Sequence, residues 1–274
     1  MDATTVSNIQ SRTKSITKRI NLDYYNSNSE TANSFYVGSY GRGTEIFTSD
    51  IDMIVRLPYD TYAKFNNYYG NGQSALIQEV KESIKKTYST THLRGDGQVI
   101  VISFTDNIRF EILPAFINKD ESYTYPDSNS GGSWKSTNPK AEISAFNSLN
   151  TECNKNLKRL CRMARAWKQE WNVPISGMLI DTLAYNFMKN WEYRDKSYVY
   201  YDWMSRDFFA FLMNQESTKE YWLAPGSYSR VYREGNFEYK AKQCYNISLE
   251  AIEDEKDYPN LAQSNWRKIY GSKF

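Results

Sequence analysis

Apolar residues recur at two different periods along this chain, and the switches between them outline its elements. Val6, Ile9, Ile16 and Ile20 fall on one helical face between polar and basic positions, which predicts an opening helix. A polar stretch from Asn26 to Asn33 leads into a short strand at Phe35 to Val37 and then a Gly38-Ser39 turn. Asp50-Ile51-Asp52-Met53-Ile54-Val55 opens an apolar strand that Pro58 ends. Leu76, Ile77, Val80, Ile84 and Tyr88 return to helical spacing and predict an amphipathic helix over about 74–88. Gly95-Asp96-Gly97 is a turn signal, Val99 to Phe104 an apolar strand, and Asp106-Asn107 a second turn signal. In the next strand Ile108, Phe110 and Ile112 face one way, and Arg109 and Glu111 the other. This order predicts a mixed α/β sheet with the first helices packed on its back.

From Asn118 to Lys140 the chain is rich in Ser, Gly, Asn, Tyr and Pro and shows no apolar period. A segment of that kind is expected to be a functional or mobile loop. Helical spacing then resumes with Leu157, Leu160, Cys161, Ala164, Trp167 and Trp171, until Pro174 breaks it. A second helix is predicted from about Ser176 to Trp191, and the remainder reads as mostly helical with aromatic-rich loops. No internal repeat is present. The fold class expected is α/β (α+β), with a mixed-sheet lobe over 1–140 and a helical lobe over 141–274.

Composition changes this picture only at the margins. The chain has 274 residues, enough for one large or two modest domains, and a formal net charge of +2. Near-neutrality argues against a protein that coats nucleic acid, so direct nucleic-acid binding is not expected. Cys153, Cys161 and Cys244 are an odd number at no metal-like spacing, and His92 is the single histidine, so no zinc site is expected. The N-terminal stretch is polar and no apolar run approaches a membrane span. A cytoplasmic protein with reduced thiols and no membrane partner is the expectation.

The candidate chemistry lies where the first alternating strand begins. Asp50 and Asp52 project from one face of that strand, and two adjacent carboxylates repel unless a cation lies between them. Hard divalent ions such as Mg²⁺ favour such oxygen ligands. Gly38 and Ser39, just upstream, offer backbone N–H groups and a hydroxyl to phosphate oxygens. Glu111 adds a third acid on a strand that otherwise reads as core, and three carboxylates suit a two-metal site for nucleotidyl transfer. The plain alternatives are solvent-facing strand-end acids for the Asp pair and a salt bridge to a nearby Lys or Arg for Glu111.

Lys158, Arg162 and Arg165 form a basic stripe on the first helix of the second lobe. Such a stripe is ordinarily a solvated face, and here it is a candidate to meet a triphosphate held between the lobes. Ser176 sits at an N-cap position, where capping is the first reading and phosphate contact the second. His92 reads as a structural or solvated loop residue. Tyr123, Tyr125 and Trp134 are candidates to stack on a base, with ordinary packing as the alternative. Asn147 and Asn150 are candidates for base choice.

Gly38-Ser39, Asp50-x-Asp52 and Glu111 together resemble the active-site pattern of DNA polymerase β-like nucleotidyltransferases. Asn138-Pro139-Lys140-Ala141-Glu142-Ile143, Asn156-Leu157-Lys158, Arg165-Ala166-Trp167-Lys168 and Trp266-Arg267-Lys268-Ile269-Tyr270-Gly271 narrow the resemblance. They are similar to stretches of the bacterial cyclic-oligonucleotide synthases (CD-NTases), relatives of animal cyclic GMP–AMP synthase and oligoadenylate synthase. The resemblance implies condensation of nucleoside triphosphates, with loss of pyrophosphate, into a cyclic di- or trinucleotide that activates an effector in antiphage defence. It implies that Asp50, Asp52 and Glu111 hold two Mg²⁺ ions, with Mn²⁺ as a substitute. It implies that Gly38, Ser39, Ser176 and a basic residue of the Leu157–Trp171 helix hold triphosphate, Arg162 matching best by spacing and Lys158 being its neighbour.

Two departures bear on regulation. A Cys/His zinc-binding insertion is missing, so DNA sensing through one is not expected. The last residue given is Phe274, where some relatives carry a glycine used for conjugation. The competing readings are transfer to an RNA, small-molecule or protein acceptor, and a catalytically silent relative kept for binding.

Overall fold

The computed structural model describes residues 2–46 and 50–272; Ser49, which precedes the acid pair, and Phe274 lie outside the described residues. The chain divides into two units, Met1–Gly41 with Phe47–Lys140, and Arg42–Ile46 with Ala141–Phe274.

The first unit opens with helix α1 (Ala3–Tyr25), capped by Asp2, whose carboxylate accepts from the Thr5 N–H at 2.9 Å. Strand β1 (Ser34–Tyr36), the short helix α2 (Gly38–Arg42) and strand β2 (Asp50–Arg56) follow. Helices α3 (Tyr59–Asn66) and α4 (Gly72–Lys85) lead to β3 (His92–Asp96), β4 (Val99–Ser103), β5 (Arg109–Ile117), β6 (Tyr123–Asp127) and β7 (Ser133–Thr137). The strand order is β1-β2-β5-β4-β3, with β6 added to the far end of β5 and β7 to β6. Among the described residues β2 and β5 are the one parallel pair in this sheet, so the sheet is mixed.

The helical period of α1 and α4 and the alternation of the strands meet in one core. Ile9, Ile16 and Ile20 of α1 and Leu76, Val80 and Ile84 of α4 are buried with Ile51, Met53, Ile102, Phe110 and Ile112 of the sheet. Fully burying one such side chain stabilises by roughly 1.5–3 kcal/mol. This core covers one sheet face and leaves the alternate residues of β2 and β5 on the other.

Two expectations are corrected here, the loop readings of 118–140 and of His92, while Tyr123 and Trp134 follow the packing alternative. The stretch from Asn118 to Lys140 is no structureless loop, since β6 and β7 pair within it from Tyr123↔Thr137 to Asp127↔Ser133. Its Tyr, Thr and Trp residues are good strand formers, but few aliphatic residues mark the alternation. Tyr123 is buried and its ring packs on Phe35, while the Trp134 indole N–H donates to Asn66 Oδ1 at 3.0 Å. His92 lies in edge strand β3, exposed and opposite Ser103, rather than in a loop.

The second unit is mostly helical. Helices α5 (Pro139–Glu152), α6 (Asn156–Glu170), α7 (Gly177–Asn190) and α8 (Tyr201–Met213) are followed by the hairpin β8 (Tyr221–Leu223) and β9 (Arg230–Tyr232). Helices α9 (Glu238–Asp254) and α10 (Pro259–Tyr270) complete it. The β8–β9 hairpin is an element that the aromatic-rich reading of this region missed. The apolar stripe of α6 is the centre of its core, with Leu157, Leu160, Cys161 and Trp167 fully buried against Leu179, Leu183, Phe209 and Phe237. Among the described residues no helix is long and apolar enough to cross a membrane.

Candidate active site

In the first unit the parallel pairing of β2 and β5 sets Asp50 opposite Arg109 and Asp52 opposite Glu111. Residues paired across adjacent strands share a sheet face, as do residues two apart on one strand. Three carboxylates and one guanidinium therefore stand together on the face away from the helices. Asp50 is exposed, and Asp52, Arg109 and Glu111 are half-buried. Arg109 and Glu111 form an ion pair, so the plain reading of Glu111 is realised in this conformation. The Glu111 side chain is 31 % exposed, although its strand otherwise reads as core.

Gly38 is fitted against this cluster. It adopts φ +61°, and a Cβ there would lie 1.9 Å from Asp52 Oδ2. The site thus demands glycine twice, for a left-handed backbone and for lack of a side chain. The chain is pinned at this place because the Val37 N–H donates to the Asp52 carbonyl at 2.9 Å. Ser39 follows on the first turn of α2, half-buried.

The donor set suits a divalent cation: it is all carboxylate oxygen, and Gly38 keeps the approach to Asp52 free of a side chain. Among the described residues no three His, Cys, Asp or Glu side chains converge closely enough to hold a metal ion. Glu111 is engaged by Arg109 instead, and its carboxylate joins the aspartates only if that pair opens.

The second unit holds the basic candidates. Lys158 and Arg162 of α6 line a surface pocket of about 380 Å³ together with Asn150, Thr151, Lys155 and Arg159. Lys158 Nζ donates to Asn147 Oδ1 at 2.7 Å. Partial burial, and then the charge of Arg162, hold the Lys158 ammonium below the ordinary lysine range. Arg162 donates to the Gly43 carbonyl at 2.8 Å and the Glu45 carbonyl at 3.3 Å. Ser176 Oγ accepts from the Leu179 N–H at 3.1 Å, so it caps α7 as its position suggests. Ser176 is not among the residues lining the basic pocket.

Arg165, third in the stripe, is drawn into a buried network. Its guanidinium donates to Asp181 at 2.7 Å, where Arg42 Nε (3.1 Å) and the Thr44 hydroxyl (2.8 Å) also donate. Glu142 lies 3.5 Å from Arg42 and accepts from the Ser227 hydroxyl at 2.8 Å; burial raises its carboxyl above the usual range. The network ties residues 42–46, just after the Gly38-Ser39 turn, into the helical unit. Reading the sequence missed it, although one signal was there: Asp181 is the only acid in the apolar run of α7.

A mixed sheet bearing paired carboxylates beside a Gly-Ser helix start is the fold of the polymerase β-like nucleotidyltransferases, and comparison with known proteins agrees. The model of the Second Messenger Oligonucleotide or Dinucleotide Synthetase (SMODS) domain matches residues 1–150, and the chain belongs to this family. Among solved structures it is similar to CdnC of E. coli MS115-1 in its complex with HORMA-deltaN, with a TM-score of 0.66 at 16% identity over 100% of this chain and 93% of that one. It is similar also to apo DncV of Vibrio cholerae, with a TM-score of 0.66 at 19% identity over 87% and 68% of the two chains. The V. cholerae cyclic AMP-GMP synthase form of DncV gives 0.62 at 18% identity over the same shares. At these identities the likeness is one of fold, that of the bacterial CD-NTases. No curated protein matches the chain by sequence.

Proposed function

We propose that this chain is a metal-dependent nucleotidyltransferase that condenses nucleoside triphosphates into a cyclic dinucleotide, or trinucleotide, messenger for an effector in antiphage defence. The observation that carries this reading is the Asp52↔Glu111 pairing, with Asp50 on the same face and Gly38 packed on Asp52. Membership of a family of second-messenger synthetases supports it. Asp50, Asp52 and Glu111 are the residues that would hold two Mg²⁺ ions, or Mn²⁺. Such ions supply activation of the attacking hydroxyl and neutralise charge on the phosphoryl group and departing pyrophosphate.

In the reaction a 3′-oxygen forms a bond to the α-phosphorus of a second triphosphate, the bond from that phosphorus to pyrophosphate breaks, and the hydroxyl proton passes to water. A second attack of the same kind, with loss of a second pyrophosphate, closes the ring. Gly38 and Ser39 present backbone N–H groups and a hydroxyl to phosphate oxygens. Lys158 and Arg162 neutralise triphosphate charge, and Arg162 adds a planar fork of donors. The Ser176 oxygen already accepts from α7, which leaves its proton to donate to a phosphate.

The test is incubation with Mg²⁺ and all four radiolabelled triphosphates, omitted one at a time, followed by phosphatase and chromatography. A phosphatase-resistant product that disappears in Asp50→Ala and Asp52→Ala is the expected result. A labelled RNA or protein in its place would move the assignment to another acceptor. Untouched triphosphates across donors, acceptors and metals would favour the silent binding relative.

A further inference from the structure

The carboxylate face contains a residue that metal chemistry does not call for. Arg109 stands in the same row as Glu111 and opposite Asp50, and it pairs with the acid that must turn toward Asp52 if all three are to share a cation. Three carboxylates side by side are unfavourable without positive charge among them. Arg109 supplies one such charge from within the sheet. It is not locked in place, because its side chain is 36 % exposed and that of Glu111 is 31 % exposed. Its Nε is enclosed and makes no hydrogen bond. A pair this accessible to water is weakly held, and a divalent cation competes for the same oxygens.

We propose that Arg109 is the resident counter-ion of the carboxylate face, holding Glu111 in the metal-free protein and yielding it when a divalent cation binds. The proposal rests on the reading of Asp50, Asp52 and Glu111 as a metal site. It makes Arg109 a positioning residue that sets how readily the site fills. The exchange also leaves a guanidinium unpaired at the moment an anionic nucleotide arrives. An arginine suits this role better than a lysine, because its fork can grip a carboxylate and later a phosphate with the same planar geometry.

The experiment is a Mn²⁺ titration of the full chain without nucleotide, reading free Mn²⁺ by electron paramagnetic resonance. Arg109→Gln removes the competitor and is expected to tighten Mn²⁺ about three- to tenfold. Arg109→Lys keeps the charge without the fork and is expected to fall between the parent protein and Arg109→Gln. In a Glu111→Gln background the Arg109→Gln effect is expected to shrink toward none, since the two side chains act through one pair. Binding that depends on Asp50 and Asp52 but is unchanged or weaker in Arg109→Gln would overturn the exchange and leave the metal site standing. No Mn²⁺ binding in the parent and in Arg109→Gln at millimolar metal would overturn the exchange together with the metal reading. All these variants are checked by thermal melting, so that a folding defect is not mistaken for lost affinity.

Discussion

Among the places where the protein sets an acid against a guanidinium group, two contrast in their contact with water. In the helical unit Asp181 is 0 % exposed and receives donors from Arg42, Thr44 and Arg165. On the sheet of the first unit, Glu111 meets a single Arg109, and both side chains are about a third exposed. The buried cluster cannot exchange partners, because any unpaired member would be left charged in a low-dielectric interior. The half-exposed cluster can, because water screens each charge while partners change. Similar residue types thus make an anchor in one unit and a candidate reaction site in the other.

The largest expected effect breaks the anchor. Asp181→Ala takes the shared carboxylate from Arg165 and from the buried Arg42, which keeps only the longer contact to Glu142, and should lower unfolding free energy by about 3 kcal/mol. Urea denaturation measures this, and a midpoint close to the parent's would refute the anchoring role. Glu111→Gln should do the reverse: stability changes by less than about 1 kcal/mol, while product formation falls by about 100-fold or more. A large loss of stability with activity retained would invert the comparison. Gly38→Ala forces a Cβ against Asp52 at positive φ and should cost about 1–3 kcal/mol together with most of the activity. Thermal melting and the triphosphate assay read the two losses separately.

Two smaller effects sharpen the contrast through titration. The Lys158 ammonium is held below the lysine value of 10.5, chiefly by burial. Between its folded and unfolded values the unfolded chain binds more protons, so protein stability should rise with pH across that window. Phosphate affinity at the basic pocket should fall across the same window, because the cation is being lost. Calorimetric titration with inorganic triphosphate checks the second sign, and Lys158→Met should abolish the fall. Burial pushes the Cys153 thiol up to about 11, Cys244 up to about 12, and Cys161 well above its usual range. A disulfide reagent at neutral pH should therefore label no cysteine in the folded protein and all three after unfolding. Rapid labelling of the native state would show that the helical core opens readily.

Local pattern carried much of this architecture. The helical spacing of Ile9, Ile16 and Ile20 and of Leu76, Val80 and Ile84 was readable because burial of one face leaves a period in the chain. The β6–β7 hairpin left little such trace, because its strands are built from Tyr, Thr, Ser and Trp residues that also populate loops. For the candidate site, the sequence supplied Asp50, Asp52, Gly38 and the shared direction of Arg109 and Glu111.

By itself, then, the amino-acid order determined which residues share a face within each strand and helix, since that depends only on backbone period. The tertiary structure decided who meets whom. Strand register placed Asp52 beside Glu111 and Asp50 beside Arg109. Packing of residues 42–46 into the helical unit turned Arg165 from a surface cation into a partner of Asp181. Those choices are non-local: they depend on which distant segments close together and exclude water, and no local period records that.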